Sequence, residues 1–324
     1  MPGDFDKLTP ERFLDAAEAA LGERLGGYAS AFPSYVNRVY EIETLKSKTR
    51  LVAKFYRPGR WSREAIEEEH RFVLECAAEE IPVVPPMTLA NNSTLAESED
   101  GILFAIYPKR RGRQSEFESE ESLKRVGSLL ARMHTVGARR PAPSRIEMRP
   151  CVFGEGALNR LFDSGAAQGS FAEEFHDVSL DVIDASEEIF PDASSFIRIH
   201  GDFHQANVLD RLEEGLIAID FDDMANGPAV QDLWLLLPGA PKDFPVETNA
   251  ILEGYSQFMD FDDSSLRLVE PLRAMRMLHY LSWCALQLHD KGFSDNFPDW
   301  GSDSFWRRET ADMRRQLQLI EGEH

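Results

Sequence analysis

The stretch from His200 to Asp223 sets polar residues on both sides of a short apolar run. His200-Gly-Asp-Phe-His-Gln-Ala-Asn207 comes first, then Val208 to Asp210, Leu216 to Ile219, and Asp220-Phe-Asp-Asp223. The two apolar runs are strand-like and Gly215 suits the turn between them, so the segment reads as a hairpin. Folding back in this way returns Asp220 to the side of Asn207 and Asp202. A carboxylate, a carboxamide and a second carboxylate converging at one end suit Mg²⁺, which takes oxygen ligands and shares them with substrate phosphates. Asn207 and Asp220 are the expected metal ligands. Asp202 is left to accept a hydrogen bond from an attacking hydroxyl, so Asp202 and Asp220 are the expected catalytic pair. Each residue alone is an ordinary turn former; the spacing of the set argues for chemistry.

A chain of 324 residues fits two medium lobes better than one small core. Its 56 acidic residues against 35 basic ones give a net charge of −21, which argues against a large nucleic-acid footprint. That charge serves solubility, with attraction of a cationic substrate as the alternative. Cys76, Cys151 and Cys284 are widely spaced and form no Cys-x-x-Cys pair, as expected in a reducing cytosol. The first residues lack a basic segment followed by an apolar core, and no apolar run reaches the roughly 18 residues of a membrane span. The expectation is a cytoplasmic protein with no membrane partner. With no helical seam or exposed apolar stripe demanding a partner, it is also expected to be a monomer.

The chain opens on an amphipathic pattern from Pro10 to Leu25. Strand-like runs follow at Tyr35 to Ile42 and Arg50 to Tyr56, joined by a polar turn at Lys46-Ser-Lys48. Ser62 is placed to cap a helix to about Glu79, with Ile66, His70, Val73 and Ala77 on one face. Strand-like runs recur near Met87 to Leu89 and Gly101 to Tyr107, and from Glu118 onward the periodicity is helical. The change predicts a β-rich first lobe, 1–108, and a mainly helical second lobe, 109–324. Pro271 to Leu288 is apolar nearly all round and reads as a buried helix.

His200 to Asn207 followed by Ile219-Asp-Phe-Asp-Asp223 resembles the catalytic loop and metal motif of the aminoglycoside phosphotransferase and choline kinase superfamily, a branch of the protein-kinase-like fold. Four further segments extend the resemblance over nearly the whole chain: Pro33 to Tyr40, Val52 to Pro58, Asn226 to Trp234 and Glu270 to Arg276. Together they resemble the bacterial serine/threonine protein kinases of that superfamily. The resemblance implies a bilobal α+β kinase-like fold and a cytoplasmic stress-response enzyme that moves the γ-phosphate of ATP, with Mg²⁺, to a protein hydroxyl. It assigns Lys54 to the ATP phosphates and to a helix glutamate. An apolar-flanked strand lysine independently wants a partner. Of Glu67, Glu68 and Glu69, Glu69 falls on the inward stripe with Ile66 and Val73, and is the expected one, with Glu68 left open. The resemblance also makes Ser34 a phosphate contact, gives the adenine to a hinge at Ile106, Tyr107 and Pro108, and makes Asp232 a brace for the catalytic loop. His204 reads as either a phosphate donor or scaffold.

The chain departs from ordinary protein kinases. It has no Gly-x-Gly-x-x-Gly and no Gly-x-x-x-x-Gly-Lys loop, and no long activation segment ending in Ala-Pro-Glu. A small-molecule acceptor such as an amino alcohol, a sugar or an aminoglycoside is therefore the alternative. A metallophosphoesterase reading of Gly201-Asp-Phe-His204 lacks the later ligand clusters that a two-metal site needs. A non-enzymatic relative is disfavoured because Lys54, Asp202, Asn207 and Asp220 are all present.

Overall fold

The computed structural model describes residues 5, 7–34, 36–211, 214–289 and 292–322. Helix α1 (Pro10–Leu21) is capped by Thr9 with Pro10 at its first turn, where the missing N–H costs nothing. It stops at Gly22, whose left-handed φ of 65° lets its N–H reach the Glu18 carbonyl. The expected helix to Leu25 is thus shortened. The chain enters β1 (Leu25–Ala31), a strand that the sequence reading did not foresee. Its run Leu-Gly-Gly-Tyr-Ala-Ser-Ala has no alternation because only Leu25 is buried, as suits a sheet edge.

Next come β2 (Arg38–Thr44), β3 (Arg50–Phe55), α2 (Arg63–Ala78), β4 (Ala96–Glu97) and β5 (Leu103–Pro108). They form an antiparallel sheet in the order β1-β2-β3-β5-β4. Tyr35, where the first expected strand was to begin, lies outside the described residues, and β2 starts at Arg38. Met87 to Leu89 is not a strand. Met87 donates to the Ile106 carbonyl at 2.7 Å, and the short partner of β5 is instead β4.

Side chains alternate across β3 and β5. Leu51, Ala53, Phe55, Phe104 and Ile106 pack under α1 with Phe13 and Ala17. Lys54 and its cross-strand partner Ala105 take the other face, where Ala105 and Tyr56 pack with Ile66 of α2. Sheet register therefore aims Lys54 at α2 and at the second half of the molecule.

That half begins with β6 (Arg113–Gln114) and α3 (Glu120–Gly137), then α4 (Glu155–Asp163) and α5 (Ser170–Ile189). Three short strands follow, β7 (Ile197–Ile199), β8 (Val208–Asp210) and β9 (Leu216–Ala218). After them come β10 (Ala225–Gly227), α6 (Val230–Trp234), α7 (Pro245–Tyr255), α8 (Val269–Ala285), α9 (Phe293–Asn296) and α10 (Asp303–Glu321). The hairpin foreseen in the sequence is β8-β9, with Leu209 opposite Ile217, and β6 adds a third strand. Leu212 and Glu213 of its turn lie outside the described residues. Val208 and Ala218 are fully enclosed in a core that includes Phe72 of α2, Leu130 of α3 and Ile251 of α7. The hairpin is therefore anchored from both halves. Helices α3 and α7 cross at Gly127, where a Cβ would collide with the Ile251 carbonyl.

Helix α8 ends at Ala285, earlier than expected, and is not buried all round: Tyr280 is 50 % exposed. Leu278 and Leu281 face the core shared with α4, α5 and α10, while another stripe of the same helix faces a cleft. Among the described residues, no helix is long and apolar enough to cross a membrane. Cys76, Cys151 and Cys284 are all free thiols.

Candidate active site

The loop from His200 to Asn207 leaves β7 and enters β8, and a single buried carboxylate fixes its start. Asp232, fully enclosed in α6, accepts from the His200 N–H at 2.7 Å and the Gly201 N–H at 2.8 Å. His134 Nε2 lies 3.0 Å from the same carboxylate, and His134 Nδ1 is 2.9 Å from the Tyr255 hydroxyl. Burying this charge is tolerable because hydrogen-bond partners surround it. Asp232 braces the loop, the support role expected of it. Gly201 has φ 85°, and a Cβ there would run into the Asp223 carbonyl, so only glycine fits the turn that presents Asp202.

Asp202 reaches the cleft with its carboxylate 24 % exposed. Arg276 of α8 donates from Nη1 to Oδ1 at 2.7 Å, and His204 Nε2 stands 3.2 Å from Oδ2. Burial would raise this carboxyl, but the His204 and Arg276 contacts prevail and hold it well below the usual carboxylate range. Asn207 is tied to the same loop: its Nδ2 donates to the Asp202 carbonyl at 2.9 Å, and its own carbonyl accepts from the Ile219 N–H at 3.0 Å. The second bond brings the end of β9 back beside Asn207 and places Asp220 next in sequence. Asp220 has a left-handed φ of 61° and a carboxylate 54 % exposed to the cleft.

Lys54 crosses from the sheet to this end of the hairpin. Its Nζ is 2.8 Å from Asp220 Oδ1 and 3.1 Å from Asp222 Oδ1. Burial alone would lower the ammonium pKa, but Asp220 and Asp222 together raise it well above the usual lysine value. Lys54 therefore stays charged. The expected partner, Glu69, makes no ion pair with it. Glu69 is 2 % exposed, its Oε2 has no hydrogen-bond partner, and burial, partly offset by Lys54, pushes its carboxyl up to about 7. Glu68 instead accepts from the Ser144 N–H at 3.0 Å. The helical stripe correctly turned Glu69 inward, while the two aspartates took the ammonium.

The other expected nucleotide contacts divide. Ser34 lines the cleft beside Val36 and Asn37. Ile106 does not reach it: the side chain is fully buried in the core under α1 and the carbonyl accepts from Met87. Tyr107 points its hydroxyl at the Tyr56 hydroxyl, 2.9 Å away, and at His70 Nε2, 3.3 Å away. Side-chain contact with a base is thereby removed from Ile106, because strand alternation turns it to the opposite face from Lys54.

Several site residues were missed as such. Asp222 is buried and shared by Lys54, by Asn37 Nδ2 at 3.2 Å and by Arg60, whose other nitrogen meets Asp223 at 2.6 Å. Arg145 donates to the Asp222 carbonyl at 2.6 Å and stacks on Trp61. The spacing Asp220-Phe-Asp222 was a signal for the first. The arginines come from distant segments and carried none.

Asp202, Asp220, Asp222 and Arg60 line one cleft of about 720 Å³ together with apolar Met148, Phe153, Leu272 and Trp283. Among the described residues, no three His, Cys, Asp or Glu side chains are grouped to hold a metal unaided. The donors on offer are the Asp220 carboxylate, which already accepts one cation in Lys54, and the Asn207 carboxamide oxygen. One or two such hard oxygens, completed by phosphate and water, fit Mg²⁺.

A five-stranded antiparallel sheet set against a helical half, with its strand lysine meeting Asp220 and Asp222 beside the Asp202–Asn207 loop, defines a kinase-like phosphotransferase. A model of the phosphotransferase enzyme family matches residues 29–269, and the chain belongs to that family. It is 34 % identical over 316 residues to stress response kinase A of Salmonella choleraesuis (strain SC-B67), covering 98 % of this chain and 94 % of that one. Stress response kinase A of Escherichia coli (strain K12) is 34 % identical over 325 residues, with 98 % and 95 % covered. A relative from Salmonella typhimurium at 33 % identity is named serine/threonine protein kinase RdoA. Among solved structures, amicoumacin kinase hAmiN in complex with AMP-PNP, Ca²⁺ and Ami superposes with a TM-score of 0.72 at 17 % identity. The match covers 97 % of this chain and 93 % of that one. A microcompartment-associated aminopropanol kinase reaches a TM-score of 0.69 at 16 % identity, with 95 % and 97 % covered. These two share the bilobal α+β fold.

Proposed function

We propose that this phosphotransferase is an ATP- and Mg²⁺-dependent serine/threonine protein kinase. The observation that carries this reading is the convergence of Lys54 on Asp220 beside the Asp202–Asn207 loop. The nucleotide lies between lobes 1–108 and 109–324, its phosphates against Lys54 and Ser34, with the adenine toward the end of β5 at Tyr107. Asp220 and Asn207 would hold Mg²⁺, which would offset phosphate charge. Asp202 accepts the hydrogen bond of a serine or threonine hydroxyl and aligns it with the γ-phosphorus. A new O–P bond forms as the bond to the β-phosphate oxygen breaks; ADP leaves, and the hydroxyl proton passes to Asp202. Alignment and charge stabilisation supply most of the acceleration. The protein acceptor and the stress-response setting are supported by the names of the relatives from Salmonella and Escherichia coli. We place the enzyme in the cytoplasm, as a monomer.

A second reading, a small-molecule kinase with the same residues, is favoured by the partly apolar cleft. One assay separates the two: purified protein with γ-labelled ATP, Mg²⁺ and a basic protein acceptor, with Asp202→Ala in parallel. Label on the acceptor or the enzyme, lost in the variant, supports the protein kinase. Nucleotide binding with no labelled protein band defeats it and turns the search to hydroxylated metabolites.

A further inference from the structure

The wall of the cleft beside Asp202 is basic, although the whole chain carries a net charge of −21. Helix α8 presents Leu272, Met275, Arg276, His279 and Tyr280 to it, and Arg160 of α4 faces the same space. Arg160 forms no ion pair among the described residues, and its Nε donates to Ser282 Oγ at 3.4 Å. His279 stacks on Phe153 with ring centres 5.0 Å apart, and its buried Nδ1 has no hydrogen-bond partner. Asp222 and Asp223 are already matched by Lys54 and Arg60. The donors left over on this side are therefore cationic or neutral.

Arg276 makes this arrangement consequential. It holds Asp202 Oδ1 at 2.7 Å while its own side chain stays 39 % exposed to the cleft. With His204 at the other oxygen, both acceptor atoms of Asp202 are engaged. A hydroxyl that is to use Asp202 must share or take one of these positions. A competing carboxylate is the group best matched to a planar guanidinium, which it engages through two parallel hydrogen bonds. Apolar neighbours such as Leu272 and Met275 strengthen that pairing.

We propose that the cleft selects an acceptor carrying a carboxylate close to its reacting hydroxyl, and that this carboxylate, received by Arg160, draws Arg276 away from Asp202. Recognition of the acceptor and release of Asp202 are then one event. An acceptor with an ammonium at the same place meets two guanidiniums and is repelled. The inference rests on the phosphoryl-transfer reading above and narrows it: for a protein, a serine or threonine flanked by acidic residues; for a small molecule, a hydroxy acid rather than an amino alcohol.

The test uses the full chain, γ-labelled ATP and Mg²⁺ with three serine peptides that differ only in flanking Glu, Gln or Lys, and with glycerate against glycerol. The expected order is Glu, then Gln, then Lys, with kcat/KM for the Glu peptide about tenfold above the Gln peptide, as one charged hydrogen bond supplies. Arg160→Gln and Arg276→Gln bring that ratio toward one, and Arg160→Glu moves the preference to the Lys peptide. A kcat/KM for the Gln or Lys peptide equal to or above that for the Glu peptide, with the unaltered enzyme, overturns the proposal while leaving the phosphotransferase reading intact. Labelling of glycerate and of no peptide removes the protein acceptor and keeps the carboxylate. Calorimetric binding of the same probes to the enzyme with AMP-PNP is read in parallel; no preference there for the Glu peptide over Gln, or for glycerate over glycerol, also overturns it.

Discussion

Lys54 Nζ lies 2.8 Å from Asp220 Oδ1, a contact that spans 166 residues of sequence and joins the sheet to the end of the β8-β9 hairpin. Neither side chain is positioned by its own segment alone: sheet register aims the lysine, and the hairpin returns the aspartate. Removing the ammonium leaves the Asp220 and Asp222 carboxylates without their shared cation, at the place where the proposed nucleotide would put its phosphates. Lys54→Met is expected to weaken AMP-PNP binding by roughly tenfold or more and to lower kcat/KM by about a hundredfold. Titration calorimetry and steady-state kinetics measure the two separately; binding unchanged within twofold would remove Lys54 from the phosphate site.

The Asp202 side chain engages Arg276 and His204 rather than Lys54, and in the proposed mechanism it acts on the acceptor. Asp202→Asn keeps the shape of the side chain and loses its basicity. Turnover should fall by about 10²–10⁴-fold, the range of a lost general base, with the Kd for AMP-PNP within a few-fold of the parent. An equal loss in both quantities would make Asp202 a nucleotide ligand instead.

Asp232 accepts two backbone N–H groups at the entrance to the His200–Asn207 loop with no access to water. Asp232→Asn replaces one acceptor oxygen by a donor that faces one of those N–H groups. A loss of about 2–3 kcal/mol in unfolding free energy is expected, the cost of stranding a buried polar group. A urea titration checks it, and a change below 0.5 kcal/mol, roughly the level of an exposed surface substitution, would mean that the loop is held elsewhere.

His70 lies under the sheet between the Tyr56 hydroxyl, 2.9 Å away, and Thr94 Oγ1, 2.8 Å away. Burial, with Lys54 and Arg145 adding to it, depresses its pKa to about 3. The folded protein therefore keeps His70 neutral where the unfolded chain binds a proton, so this contribution is present above the unfolded value near 6.5 and is lost as pH falls toward 3. Between pH 7 and pH 5 it amounts to about 2 kcal/mol. His70→Gln should be less stable at pH 7 yet flatten the dependence on pH, and the difference in slope isolates this group from Glu69 and His279. Parallel slopes for the two proteins would show that His70 titrates normally.

The residues that the sequence exposed most clearly sit within one local unit. From His200 to Asp223 the chain needs only a glycine turn and a two-strand register to bring Asp202, Asn207 and Asp220 to one end, and the structure brings them there. Lys54 stood out for a different reason, as a charge inside an apolar strand. Asp232 and the inward turn of Glu69 followed from resemblance and from helical spacing.

Other elements were hidden because their cause is not local. Strand β1 has no hydrophobic alternation, since an edge strand buries little, and Gly22 ended the preceding helix before its pattern did. The cleft-facing stripe of α8 carries Leu272, Met275 and Trp283 among its polar residues, so hydropathy alone made the whole helix look enclosed.

By itself, then, the sequence determined the hairpin and the identity of the groups at its end, because turn chemistry and strand alternation act over a few residues. Only the tertiary structure decided which charges meet: Lys54 with Asp220 and Asp222 rather than Glu69, Arg60 with Asp222 and Asp223, and Arg276 with Asp202. Ion pairing depends on separations of a few ångströms, and those are set by how helices and sheet pack together, which no short stretch of sequence encodes.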